Sequence, residues 1–177
     1  MKKTIAWKMA VAGVLIAVCV VCSPLSIPVG ASRCFPVQHL VNILAAVLLG
    51  PFYGVGMAFV TSLTRVLMGT GTLLAFPGSM CGALLCGLVY KYSKNIPLTC
   101  IGELFGTSVL GGIFAYPIAA LLMGKEAVLW TYILPFFVSS AGGTVIAAVI
   151  LFALKKTKVL NLSLIHISEP TRLLSIS

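Results

Sequence analysis

The stretch CFPVQHLVNILAAVLLGPFYGVGMAFVTSLT, Cys34 to Thr64, runs for 31 residues without a charged side chain. As one α-helix it would be about 46 Å long, well over the roughly 30 Å hydrocarbon core of a bilayer. Gly50-Pro51, with Gly54 and Gly56 close behind, interrupts it near the middle, since proline breaks a helix and glycine supplies the turn. The stretch therefore predicts two short helices, roughly 34 to 49 and 53 to 69, joined by a tight turn at Leu49-Gly50-Pro51-Phe52. Whether it counts as one crossing or two sets the span number of the whole chain.

The scarcity of charge extends along all 177 residues, of which 60% are hydrophobic and 8% charged, with a mean hydropathy of +1.14. That is too little polar surface to cover a water-soluble globule of this size, so the chain belongs in lipid. Charged residues leave neutral runs at 9 to 32, 34 to 64, 66 to 90, 104 to 124 and 127 to 154, each long enough for a span.

Positive charge decides between five spans and six. With six, the loops on one side hold Lys2, Lys3, Lys8, Lys91, Lys94, Lys155, Lys156 and Lys158, against Arg33, Arg65 and Lys125 on the other. With five, the split is nearly even. The positive-inside rule selects six spans with both termini cytoplasmic, at about 5–23, 34–49, 53–69, 75–91, 98–123 and 128–154. The expected fold class is all-α, a six-helix membrane bundle in one domain, residues 1–160. Lys2, Lys3 and Lys8 before an apolar run imitate a secretory signal. Val18 and Val21 occupy the places where a cleavage site needs small residues, so the segment reads as an uncleaved first helix.

The net charge of +9 does not point to nucleic acid, because the basic residues sit at the ends of apolar runs and form no aromatic-interleaved patch. Cys19 and Cys22 have redox or zinc spacing, but no second Cys/His pair completes a site, and Cys19, Cys22, Cys81 and Cys86 read as small hydrophobes. No metal or cofactor is expected. The chain holds no Asp, no pair of intramembrane carboxylates, no HExxH, no GxSxG and no phosphate loop, so neither an enzyme nor an ATP-driven pump is indicated.

Polar side chains in a membrane span are costly unless they meet a partner or a cavity. They gather toward the expected outer side: Arg33, Gln38, His39 and Asn42 around helix two, Arg65, Thr70 and Thr72 at the end of helix three, and Phe76-Pro77-Gly78-Ser79 opening helix four. His39 and Asn42 lie three apart and Gln38 and Asn42 four apart, which gives them a shared face. Arg65 has snorkelling to the headgroups as its ordinary role. Glu103, the only acid within an expected span, lies about two turns from the inner end of helix five, where a structural role is expected. Tyr116 sits further out on the same helix. The proline-bearing connection Ser23 to Arg33 has the make-up of a lid. Ala6 and Ala10, with Gly13 and Ala17, give helix one a small-residue face that another helix can approach closely.

The segments PVQHLVN, LLGPFYG, TSLTR, GTGTLLAFPGSMCGALLCGLVY, GELFG and PFFVSSAGG together are similar to the ThiW family, substrate-binding (S) components of energy-coupling factor transporters for thiamine precursors. The resemblance runs through most of residues 5 to 154. It implies a multi-pass protein of the bacterial cytoplasmic membrane that captures hydroxyethylthiazole at its outer face. It also implies a transmembrane coupling protein, docked on Ala6 and Ala10, and two cytoplasmic ATPase subunits. Gln38, His39, Asn42, Arg65, Thr72, Phe76 and Tyr116 become the candidate binding residues. Thiamine, its pyrimidine precursor or another vitamin remain alternative ligands, because fold fixes architecture better than ligand. Outside the class stand an ion-coupled carrier and a non-transporting membrane scaffold. Residues 161–177 match nothing in the family. They contain LSLIHISEPTR, which looks like a sequencing adapter read in frame, so a non-native tail is expected there.

Overall fold

The computed structural model describes residues 4–29, 32–124, 128 and 130–156. Its helices are α1 (Ile5–Val21), α2 (Pro36–Leu48), α3 (Pro51–Leu67), α4 (Ala75–Ser93), α5 (Ile96–Leu122) and α6 (Ile133–Lys156). The run Cys34 to Thr64 is two helices, joined more tightly than the sequence predicts. Gly50 has φ 88°, a left-handed value that side chains with a Cβ rarely adopt, and Pro51 already forms the first turn of α3. Proline suits that position because a first-turn N–H has no intrahelical partner to lose.

All six expected segments are helical, with ends shifted by a few residues. The largest shift is at α6, which begins at Ile133 and not near 128; Val128 instead donates its N–H to Thr131 Oγ1 at 3.0 Å in a preceding turn. Lys125, Glu126 and the tail from 161 lie outside the described residues. The connection after α1 is not a plain loop. A 3-10 turn at Ser23–Leu25 leads into an antiparallel hairpin, β1 (Ile27–Val29) with β2 (Ser32–Cys34), which pairs Pro28 with Arg33.

Three apolar clusters order the interior. Ala12, Leu15 and Cys19 of α1 pack with Val41, Ala45 and Met57 of α2 and α3. Ile43, Ile96, Cys100, Ala147 and Leu151 join α2 to the start of α5 and the latter half of α6. Leu74, Ala115, Ala119, Tyr132 and Phe136 join the far part of α5 to the start of α6. Between the last two clusters along α5 and α6 lie Glu103, Thr107 and Ser139, a polar layer held between two apolar ones. α1 sits at the edge, packed on α3 and α2.

Outside, the bundle reverses the usual polarity of a water-soluble protein. Large apolar side chains are exposed on every helix but α2, among them Phe52 and Leu121 at 82% each, while Gln38, Asn42, Ser62, Ser140 and Glu103 are buried. α5 and α6 are each long and apolar enough to cross a membrane by length and composition.

Candidate functional site

Glu103 organises the polar layer. Its side chain has 0% exposure, and its Oε1 accepts from His39 Nδ1 at 2.9 Å, Asn42 Nδ2 at 3.0 Å and Thr107 Oγ1 at 3.1 Å. His39 Nε2 meets Ser139 Oγ at 3.1 Å, and Ser139 Oγ in turn accepts the Phe35 N–H at 2.7 Å. Asn42 also donates to the Ser79 carbonyl at 3.1 Å and its Oδ1 receives Gln38 Nε2 at 3.4 Å. These bonds are mutually consistent when Nδ1–H of His39 donates to Glu103 and the Ser139 hydroxyl donates to Nε2. The second carboxyl oxygen, Glu103 Oε2, is buried and has no partner among the described residues. α4 comes close enough for this through Gly82, where a Cβ would collide with the Thr107 hydroxyl and lie 2.7 Å from both Glu103 oxygens.

Thr107 reaches Glu103 from the position four residues on, at the start of a π-helical stretch, Gly106–Gly111, within α5. Such widened turns recur at functional sites. Ser139, His39 and Glu103 have the connectivity of a serine triad, yet Ser139 lies within α6, its oxygen already accepts the Phe35 N–H, and neighbouring helical N–H groups are engaged in their own ladder. The connectivity holds three helices in register.

Above this floor opens a cavity of about 290 Å³. Its lining includes Arg33, Phe35, Gln38, His39, Arg65, Thr70, Thr72, Ser79, Thr107, Phe136 and Ser139. The Arg65 guanidinium lies 3.8 Å from the centre of the Phe35 ring, within cation–π range. Its backbone carbonyl is held by Thr70 N at 2.9 Å and Gly71 N at 3.0 Å, and Ser23 Oγ donates to Thr70 Oγ1 at 3.0 Å, tying the loop to the turn after α1. Gly69 permits that loop with φ 72°. Among the described residues, two buried atoms on the cavity walls have no hydrogen-bond partner: Gln38 Oε1 and Arg65 Nε.

The structure brings four of the sequence-predicted residues to the cavity, Gln38, His39, Arg65 and Thr72. Asn42 stands one layer behind, on Glu103. Arg65 does not snorkel; it is 5% exposed. Phe76 instead packs against Phe59, ring centres 5.6 Å apart, and Tyr116 is 36% exposed, neither of them bordering the cavity. Glu103 and the His39 group, read from the sequence as separate, form one network through which α2 meets α5 directly. Phe35, Thr107, Phe136 and Ser139 were not singled out. A hydroxyl four residues after the only intramembrane acid is the signal that would have found Thr107.

The order of segments around this cavity can be set against known families. A family model described as a thiamine-precursor transporter protein (ThiW) matches residues 9–157. The chain belongs to the ThiW family. Comparison with curated proteins and with solved structures gives no match. The ThiW match spans all the cavity-lining residues, so the polar layer and the orphaned atoms belong to the membrane-transport module itself. On α1, Ala6, Ala10, Gly13 and Ala17 are all exposed, and a Cβ built on Gly13 meets nothing within 4 Å.

Proposed function

We propose that this ThiW protein is the substrate-capture subunit of an energy-coupling factor uptake transporter and that the cavity holds hydroxyethylthiazole or a closely related thiazole. The observation that carries the reading is the pair of orphaned buried groups in one small cavity. Gln38 Oε1 offers an acceptor to a ligand hydroxyl and Arg65 Nε a donor to a ring nitrogen, while Phe35 and Phe136 supply ring surface. At about 290 Å³ the cavity lies at the low end of the roughly 300–1,000 Å³ of ligand pockets, which favours a single small ring over intact thiamine.

In this reading the six helices are six spans, residues 1–160 form one membrane domain with both termini cytoplasmic, and residues 161–177 are a non-native tail. The exposed apolar girdle and the lysine distribution support that placement. The open small-residue face of α1 at Ala6 and Ala10 receives a transmembrane coupling protein, which two cytoplasmic ATPase subunits drive. Asn42 and Glu103 position the binding face without touching ligand.

Calorimetric titration of the full chain in detergent with hydroxyethylthiazole, thiamine and the pyrimidine precursor tests the capture role. Saturable binding selective for the thiazole is expected. Binding of the pyrimidine alone would reassign the ligand, and no binding of any of the three by folded protein would overturn the capture role. Ala10→Leu is expected to leave binding intact and to abolish uptake once the partners are present.

A further inference from the structure

We infer that the ligand is captured as an anion: the cavity takes a small heteroaromatic ring whose side arm ends in a carboxylate or a phosphate monoester. This rests on the reading of the cavity as the capture site and narrows the class of thiazole it accepts.

The cavity holds two guanidinium groups, Arg33 from β2 and Arg65 from the end of α3. Among the described residues the only carboxyl group is Glu103, and it bonds His39, Asn42 and Thr107 but neither arginine. Among the described residues neither arginine therefore has a carboxylate within ion-pair distance. For an exposed residue that would mean little. Arg65, however, is 5% exposed, and its Nε lacks a hydrogen-bond partner.

A buried cation without a counter-ion is unfavourable, because lost hydration is not replaced. The Phe35 ring covers one face of the guanidinium, and cation–π attraction offsets only part of that loss. The three bonds to the Arg65 carbonyl, from Thr70 N, Gly71 N and Thr70 Oγ1, fix the base of the side chain, so the guanidinium is presented on a rigid support. A planar fork of donors held in that way matches the paired oxygens of a carboxylate or phosphate. An anionic side arm would supply the missing counter-charge. A neutral alcohol would leave the buried Arg65 cation uncompensated.

The test is calorimetric titration of the full chain with hydroxyethylthiazole, its phosphate monoester and the corresponding thiazole carboxylic acid, with thermal unfolding to verify that each sample is folded. One of the two anions is expected to bind about tenfold or more tighter than the alcohol, as charge-assisted hydrogen bonds imply. Which of them does so separates phosphate from carboxylate. Arg65→Met should erase that preference and Arg65→Lys should retain part of it. If Arg65→Met does not fold, Arg33→Met on the hairpin provides the same comparison. Equal or tighter binding of the alcohol in the wild type would overturn the inference and leave the capture role standing. Failure of all three thiazoles to bind folded protein would remove the capture role, and the inference with it.

Discussion

The floor and the wall of the cavity are built from the same kinds of side chain and solve opposite problems. On the floor, Glu103 Oε1, His39, Asn42, Thr107 and Ser139 find partners in one another at 2.9–3.1 Å. On the wall, Gln38 Oε1 and Arg65 Nε are equally buried and have none among the described residues, and unlike Glu103 Oε2, the one floor atom left over, they belong to residues that line the cavity. Satisfied buried polar groups hold helices in register, whereas orphaned ones reduce stability unless something else completes them. Under the proposed function, the difference assigns the floor to support and the wall to the ligand. Substitutions on the floor should therefore act on stability, and those on the wall on binding.

The largest effect is expected from Glu103→Ala, which strands three donors in the apolar interior. A loss of about 3–5 kcal/mol follows from removing one partner of a buried charged network, read as a fall in the thermal midpoint in detergent. Gly82→Ala should act in the same direction by forcing the carboxyl and Thr107 away from α4. A Glu103→Ala protein of unchanged stability would erase the contrast.

Arg65→Met comes next and has the opposite character. Its removal relieves an uncompensated buried cation, so stability should stay level or rise, while ligand affinity falls by about 1.5–3 kcal/mol, the range for hydrogen bonds to charged groups. Destabilisation without loss of affinity would move Arg65 from the wall to the floor. Gln38→Ala is smaller, with about tenfold weaker binding expected from the loss of one acceptor. It sharpens the comparison, since Gln38 also donates to Asn42 and so touches both regions. Tyr116→Phe lies outside both and should change stability and affinity by less than about 0.5 kcal/mol.

Much of this division was legible in the sequence because polar residues are so few. In a chain with 8% charged residues, Gln38, His39, Asn42 and Arg65 stand out, and the helical spacing of the first three gives a common face. The six helices were equally legible from Gly50-Pro51 and the placement of lysines. Depth was not. Counting turns along single helices gives no contact between Glu103 and His39, whereas α2 meets α5 side by side and brings His39 Nδ1 to 2.9 Å from Glu103 Oε1. Thr107 and Ser139 were hidden for another reason: a single hydroxyl in an apolar helix more often bonds its own backbone, as Ser108 does to Leu104 O and Ser140 to Phe137 O. Phe76 and Tyr116 were aromatic residues at a plausible level whose rings face elsewhere, a distinction that rests on helix rotation and not on spacing.

The central claim is that the cavity above Glu103 is where the thiazole binds, and filling it tests this most directly. Thr72 lies on the rim, exposed and without a role in the floor network. Calorimetric titration of the wild type and of Thr72→Trp with hydroxyethylthiazole, both verified as folded, should show saturable heat for the wild type and none for the variant. Undiminished binding by Thr72→Trp would place the ligand elsewhere and contradict the account.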